Sequence, residues 1–434
     1  THAIARGTIA DIAALDGIDI ALDLRGNSLN ALYPILGLAL PDTPPYRLRG
    51  QLVRTGAKWQ YERFQGRLGD SDLGGSIAVT LRAPERPLMT GRLSSQLLDL
   101  NDLGPLIGAP PGTGPGETAS TAQRQRAAAV AASTSVLPDI SFGVEKWRTV
   151  DADVRLDARR IRRPAALPLD DLRLRLVLQN NVLRLTPLRF GVAGGEIAGT
   201  VSVDARNRPV RGVVEMTAHD LQLPLLFPQV EKLSDSSGRL FGRIRLNGRG
   251  ESIKALFASA SGSLDAAIAG GTISNLLVEL VGLDAGEALK FLVSGDRIIP
   301  IRCALAGLDV AEGQARTRVM VIDTTDTNIV GTGGVDFRDE QLDLTFHPAP
   351  KDVSVLVGRA PLHIQGPFKQ PTIAPDLTAI AGRGTAAILL GLVNPLLALA
   401  PLVETGPGKD SDCSALLADA RRWSAPAPNA RKRR

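Results

Sequence analysis

Acidic residues at short spacing offer the first candidate chemistry in this chain. The stretch VDADVRLD places Asp151, Asp153 and Asp157 at positions that partly match a calcium-binding loop. Such a loop also needs a central glycine and a terminal glutamate, which are absent here, and the alternation favours an exposed strand face instead. We expect no metal site in this chain, because no ligand pattern is formed by the four histidines, His2, His219, His347 and His363.

Glycine-rich and nucleophile motifs give no stronger chemistry. The stretch GVAGGEIAG (191–199) is loosely like a dinucleotide-binding loop, but it lies among predicted strands and no helix follows it. The motifs GxxxxGK[ST], GxSxG and HExxH are absent from the sequence. Carboxylates are numerous enough to leave a glycosidase pair open, although aromatic residues are only 4% of the chain. We therefore predict a protein that is not an enzyme, with no catalytic residue and no cofactor.

The composition also argues against nucleic acid as a partner. The net charge is +5, but arginines alternate with aspartates, as in VDADVRLDARR, and are not grouped with aromatic residues. The stretch RKRR at 431–434 is a true basic cluster, within a predicted disordered tail over 420–434. With 44% hydrophobic residues and few aromatic ones, the apolar content is mainly aliphatic.

Alternation of apolar and polar residues is the dominant pattern, and it predicts antiparallel strands with one buried and one solvated face. An aliphatic face of this kind either packs into a closed core or lines an open trough suited to acyl chains. The residues that we predict to line such a groove are Leu172, Leu174, Leu176, Leu178, Ile197, Val201, Val203, Leu240, Ile244, Leu246, Val335, Phe337, Leu342 and Leu344.

Double glycines precede two similar strands, LGGSIAVTL and VAGGEIAGTVSV. We expect Gly74-Gly75 and Gly194-Gly195 to form turns or bulges ahead of a new strand, because glycine tolerates backbone conformations that other residues avoid. Degenerate repeats of this kind predict a mainly β fold: an elongated, curved antiparallel sheet groove with short helices at the ends of the units.

Composition divides the chain into five segments. We predict sheet repeats over 1–108, a flexible low-complexity insertion over 109–135, a second stretch of groove over 136–376, apolar helices over 377–419, and the tail. The charge-free stretch 385–403 contains Pro395 and Pro401, which favours two short helices over one membrane-spanning helix.

Several long segments, taken in order, resemble the AsmA family of Gram-negative envelope proteins. They include VLPDISFGVEKWRTVDADVRLDARRI, LPLDDLRLRLVLQNNVLRLTPLRFGVAGGEIAGTVSVD, CALAGLDVAEGQARTRVMVIDTTDTNIVGTGGVDFRDEQLDLTFHPAPK and APLHIQGPFKQPTIAPD. The resemblance implies a periplasmic protein, tethered to the inner membrane by an anchor that this chain lacks. It also implies a β-groove related to bridge-like lipid transfer proteins, with phospholipids or other acyl-chain lipids as partners and a role in outer-membrane integrity.

The resemblance further implies a disulfide between Cys303 and Cys413, which would attach the C-terminal segment to the last sheet. From the sequence alone, the two cysteines are equally compatible with free thiols.

Two other functions stay open. The sheet could be closed and free of lipid, serving as a scaffold with an outer-membrane assembly factor as partner. It could also be a carbohydrate-active solenoid.

Overall fold

Twenty β-strands make up most of the described part of this chain, so the protein is mainly β, as predicted. The computed structural model describes residues 2–11, 13–14, 16–32, 43–99, 102, 124–125, 128, 135–139, 141–162, 169–226, 236–274, 298–351, 361–376 and 409–424. Most of the predicted insertion, the apolar stretch 385–403 and the final residues 425–434 lie outside this range.

The strands are long, and most of them contain ten or more residues. Their bounds are β1 His2–Asp11, β2 Asp16–Gly26, β3 Tyr46–Thr55, β4 Lys58–Leu68, β5 Ser71–Thr80, β6 Leu88–Asp99, β7 Asp151–Arg162, β8 Leu169–Gln179, β9 Val182–Val192, β10 Gly195–Asp204, β11 Arg211–Gln222, β12 Arg239–Arg249, β13 Ser261–Ile268, β14 Thr272–Ser274, β15 Ile298–Ala311, β16 Gln314–Thr324, β17 Thr327–Asp336, β18 Gln341–Pro350, β19 Leu362–Pro367 and β20 Thr372–Pro375.

The described helices are short. Two 3₁₀ helices span Leu29–Leu32 and Val144–Arg148, and three α-helices follow: α1 Leu223–Leu226, α2 Ile253–Ala258 and α3 Cys413–Ser424. Ser252 caps α2, since its hydroxyl accepts a hydrogen bond from the backbone N–H of Ala255 at 3.1 Å. Helix α3 continues through Ser424, into the range 420–434 for which we expected a disordered tail.

The chain divides into two compact units. Unit 1 comprises 1–192, 197–215 and 247–259, and unit 2 comprises 193–196, 216–246 and 260–434. Within unit 1, β1 to β6 pair in chain order, each antiparallel to the next, and β7, β8 and β9 do the same. Long hairpin-connected strands of this kind agree with the predicted alternation.

One pairing in unit 1 departs from the predicted antiparallel order. Strands β6 and β7 are parallel, with Leu88 opposite Asp151 and Asp99 opposite Arg162. A parallel neighbour needs a long crossover that returns the chain to the other end of the sheet. The segment 100–150 provides that connection, and strand alternation alone carries no information about it.

Unit 2 contains a second run of paired strands. Strand β15 pairs with β13 through its C-terminal part and with β14 through its first residues, and β15 to β20 pair antiparallel in chain order. Gly242 of β12 lies against Ala218 of β11 on one side and Asp265 of β13 on the other.

The two double glycines have different structural roles. Gly194 has φ +72° in the turn between β9 and β10, as expected of a turn glycine. Gly74 and Gly75 instead lie inside β5, which begins at Ser71, so they form no turn ahead of a new strand, and the alternative that we expected, a bulge, is found beside them. Strand β4 shifts register between Tyr61 and Phe64, opposite Gly75, and a Cβ atom at Gly75 would lie 2.0 Å from the carbonyl oxygen of Arg92.

Candidate functional site

An apolar row crosses eight consecutive strands of unit 1. Its members lie directly opposite one another in register, from β2 to β9: Ile20, Leu52, Tyr61, Ile77, Gly91, Val154, Leu176 and Leu185. Directly opposed residues share one face of a sheet. All eight residues are only half-buried. We call the face of the sheet that carries this row the apolar face.

The predicted residues of β8 follow the apolar face along the strand. Leu174 and Leu176 are half-buried, whereas Leu172 and Leu178 are buried. Leu172 packs in a cluster with Leu98, Ala158 and Ile161 near one end of the strands. Leu178 packs at the other end against Val150 and Ala152, with Trp147 beside them. The middle of β8 is therefore the part of this strand that leaves apolar surface uncovered.

The 3₁₀ helix Val144–Arg148 covers one end of the apolar face. Val144 packs with Val203, Ala205 and Val210, next to Leu183. Of the three candidates on β10, Val203 is buried in this cluster, while Ile197 and Val201 are half-buried. Val203 thus belongs to a packed end, and its apolar character is explained by the core.

Unit 2 has a similar division into faces, which we describe separately. On β12, Leu246 is buried, Leu240 is half-buried and Ile244 is 40% exposed. Val335 lies opposite Leu342, and Leu344 lies opposite Ile364, on a face that also carries Phe346. Phe337 follows the end of β17, where its ring meets Phe368 edge-on at 6.2 Å between centroids.

The opposite face of unit 1 is polar and carries arginine–aspartate pairs between neighbouring strands. Arg175 donates to both carboxylate oxygens of Asp153, at 2.8 and 2.6 Å, and Arg49 donates to Asp23 at 2.7 Å. The hydrogen bond from Arg175 lowers the pKa of Asp153. Those from Arg25 and then Arg49 lower the pKa of Asp23 to about 2. These hydrogen bonds favour the ionised form of both carboxylates. One face of the unit 1 sheet therefore carries ion pairs, and the opposite face carries apolar side chains.

The acidic stretch that opened the sequence analysis lies on this polar face. Asp151 forms an ion pair with Arg82 at 3.1 Å, and Asp153 is paired with Arg175 as described. Both carboxylates therefore form ion pairs with arginines, which agrees with the interpretation of these residues as an exposed strand face and not as a calcium-binding loop.

A disulfide joins Cys303 of β15 to Cys413 at the start of α3. Leu416 and Leu417 of α3 then pack beside Ala267 and Leu305, so the bond and the apolar contacts hold the helix on the same patch of sheet. This is the pairing that the family resemblance implies, and its oxidation state in the cell stays a prediction.

A buried carboxylate beside the disulfide was not found by sequence reasoning. Asp323 lies opposite Cys303 and is 0% exposed. Its carboxylate accepts hydrogen bonds from the side chain of Arg302 at 3.0 Å, from the side chain of Lys351 at 2.5 Å and from the backbone N–H of Ser411 at 3.0 Å. Both cysteine sulfurs and an Asp323 oxygen lie within 4.8 Å of one another. Sulfurs bonded to each other offer no thiolate, so this donor set does not fit a metal ion.

A second buried cluster connects the β4–β5 turn to the chain after β6. Asp102 accepts hydrogen bonds from the hydroxyl of Ser71 at 2.6 Å and from the backbone N–H groups of Asp70 and Ser71. Burial raises the pKa of Asp102, although these hydrogen bonds oppose the shift. Nearby, Arg162 pairs with Asp99 at 2.6 Å. Local sequence pattern contains no sign of this cluster, because its members lie far apart along the chain.

Within the described ranges, helices are too short or too polar to traverse a lipid bilayer. No solved structure matches the chain.

Comparisons with known proteins agree with the resemblance noted in the sequence. The chain is 36% identical over 422 residues to the AsmA family protein YhjG of Escherichia coli (strain K12), which covers 96% of this chain and 61% of that protein. The chain therefore spans less than two thirds of the length of this relative. The model of the AsmA family matches residues 7–320, and the chain belongs to the AsmA family.

Proposed function

We propose that this chain is a β-groove that shields lipid acyl chains from water during phospholipid transport in the cell envelope. The observation that carries the proposal is the apolar face of unit 1, whose central row stays half-buried across eight strands. A soluble protein rarely leaves a contiguous apolar surface without a binding role. Family membership supports a role in the envelope.

Such a surface can remove a large free-energy cost of exposing lipid to water. Moving an acyl chain from an apolar environment into water costs about 0.8 kcal/mol per CH₂ group, so a two-chain lipid faces a cost on the order of 20 kcal/mol. A face of leucine, isoleucine and valine side chains removes most of that cost without any reaction. No catalytic residue is required, and we propose that the chain is not an enzyme.

The finer parts of this proposal follow from the family. We propose that the sheet is elongated and curved into an open groove, that the protein works in the periplasm and is tethered to the inner membrane, and that it supports outer-membrane integrity. Within each unit, the candidate residues that are not buried, such as Leu174 and Leu176 of unit 1 and Ile244 of unit 2, would line the path of the lipid.

Lipid co-purification tests the proposal at β8. Leu174→Asp with Leu176→Asp places two charges on the apolar face, and Val177→Asp is the matched control. Val177 is the adjacent residue of the same strand and lies opposite Asp153 and Arg184, on the polar face. Native mass spectrometry should find lipid with the wild type and the control, and little with the double variant. Equal lipid in all three proteins, with unchanged circular dichroism, would refute acyl-chain shielding.

A further inference from the structure

A cleft of about 630 Å³ lies across strands β4 to β7 of unit 1 and is lined mainly by residues of the polar face, with Ile77 and Gly91 of the apolar row also bordering it. Its lining includes side chains that point away from the apolar face, because they alternate with the apolar row along each strand. The polar side chains of its lining include Lys58, Ser76, Thr90, Arg92, Asp153 and Arg155.

Two arginines in this cleft lie side by side. Arg92 of β6 is directly opposite Arg155 of β7 in the parallel pair, and Ser76 of β5 is opposite Arg92 on the other side. Like charges directly opposite each other destabilise a sheet. Among the residues that the structure describes, neither guanidinium group of this pair donates a hydrogen bond or forms an ion pair. The fold therefore keeps two adjacent guanidinium groups without a hydrogen-bonding partner, although the charge of Arg155 contributes, after Arg175, to lowering the pKa of Asp153.

The carboxylates of the cleft are already engaged. Asp153 accepts two hydrogen bonds from Arg175, which lies opposite Arg155 on β8. Glu62 accepts a hydrogen bond from the side-chain amide of Gln60 at 3.1 Å and lies 3.8 Å from Arg63. Arg92 and Arg155 consequently remain as donors available to a ligand, and Lys58 also lines the cleft.

We propose that this cleft binds a phosphate group carried by a small polar molecule or headgroup. Guanidinium groups match phosphate oxygens with paired N–H donors, and two adjacent arginines offer two such forks. The hydroxyls of Ser76 and Thr90 supply further donors beside them. The cleft volume lies in the range of small-ligand sites. The inference is independent of acyl-chain shielding, since the arginines and hydroxyls that would bind the phosphate lie on the other face of the same strands.

The binding test uses the full chain and sn-glycerol 3-phosphate at physiological ionic strength, measured by calorimetry. The double variant Arg92→Gln with Arg155→Gln is compared with Arg173→Gln and Arg189→Gln. Arg173 and Arg189 are also directly opposite each other, but they lie outside the cleft. We expect the cleft variant to bind about tenfold more weakly and the control to change by less than about twofold. Equal weakening in both variants would mean diffuse charge attraction and would overturn the proposal.

Two further measurements complete the test. Vesicles of phosphatidylcholine with and without phosphatidylglycerol distinguish a membrane headgroup from a free phosphate ester as the source. Binding to either source that is lost in the cleft variant alone supports the site, and no saturable binding to vesicles, sn-glycerol 3-phosphate or inorganic phosphate overturns it. The melting temperature of the cleft variant should stay equal or rise, since a repulsive pair is removed. A clear fall would show that the arginines support the fold, and would contradict the proposal.

Discussion

Gly91 of β6 and Val154 of β7 lie directly opposite each other in the apolar row, and a Cβ atom at Gly91 would be 3.4 Å from Cγ1 of Val154. The side chain of Ile77 is at 3.6 Å on the other side. Gly91 therefore forms a shallow dip in the apolar face between two aliphatic neighbours, at distances that a methyl group can occupy.

The first prediction is that Gly91→Ala stabilises unit 1. Gly91 has no positive φ, and glycine in a strand costs roughly 0.5–1 kcal/mol relative to alanine, so we expect a gain of about that size. Urea denaturation of the two proteins gives the difference. The matched variant is Gly75→Ala, whose φ of +136° and close approach to Arg92 leave no room for a methyl group. It should lose about 1–3 kcal/mol, and a gain at Gly75 would contradict the register described here.

The second prediction concerns the disulfide. The bond closes a separation of 110 residues, so replacing Cys303 and Cys413 by alanine should lower the free energy of unfolding by about 4–5 kcal/mol in the chain-entropy model. Urea denaturation with and without a reducing agent measures the effect. The reductant should destabilise the wild type and leave the double variant unchanged. A wild type that is insensitive to reductant while unfolding would show that the bond is not formed.

The third prediction separates two aspartates that share the same cations. Asp323 is fully buried, whereas the side chain of Asp410 is 61% exposed, and both pair with Arg302 and Lys351. Asp323→Asn leaves the nearly buried Lys351 without its inner partner and should cost about 3–5 kcal/mol. Asp410→Asn removes a carboxylate that is itself solvated and leaves Lys351 paired with Asp323, so it should cost much less. Equal losses in urea denaturation would mean that the burial of Asp323 is not important for stability.

The fourth prediction is a pH dependence. The folded-state pKa of Asp102 is raised by burial, so its protonated form is favoured by folding. The stability that this group contributes is therefore fully present below its usual pKa of 3.8 and is lost as the pH rises through the folded value.

Asp102→Asn should remove this loss, so the variant should gain stability relative to the wild type as the pH rises above about 4. The nearby charged groups Asp99, Asp70 and Arg162 are unchanged in this comparison. Denaturation midpoints across that range provide the measurement. Parallel pH profiles for the two proteins would show that Asp102 titrates as an exposed carboxyl does.

Strand positions could be predicted well from the sequence, because alternation is a local property. Leu172, Leu174, Leu176 and Leu178 share a face of β8, as their spacing requires. Which of them stays half-buried depends on Trp147, Leu98 and other residues far along the chain, so the pattern could not distinguish them. The buried carboxylates Asp102 and Asp323 could not be found either, since each gains its partners only through tertiary contacts.

The parallel contact of β6 with β7 has a consequence for how the chain reaches its native state. Strands β1 to β6 can pair with one another through successive hairpins, and so can strands β7 to β9. Pairing β6 with β7 must instead bring together residues that are separated by the segment 100–150. That joining step brings together residues farther apart in sequence than any hairpin within either set, so it should be slower than the hairpin steps. Loop-closure entropy grows slowly, by about 0.6 kcal/mol per doubling of length, so a longer crossover would raise the free-energy cost of that joining step only slightly.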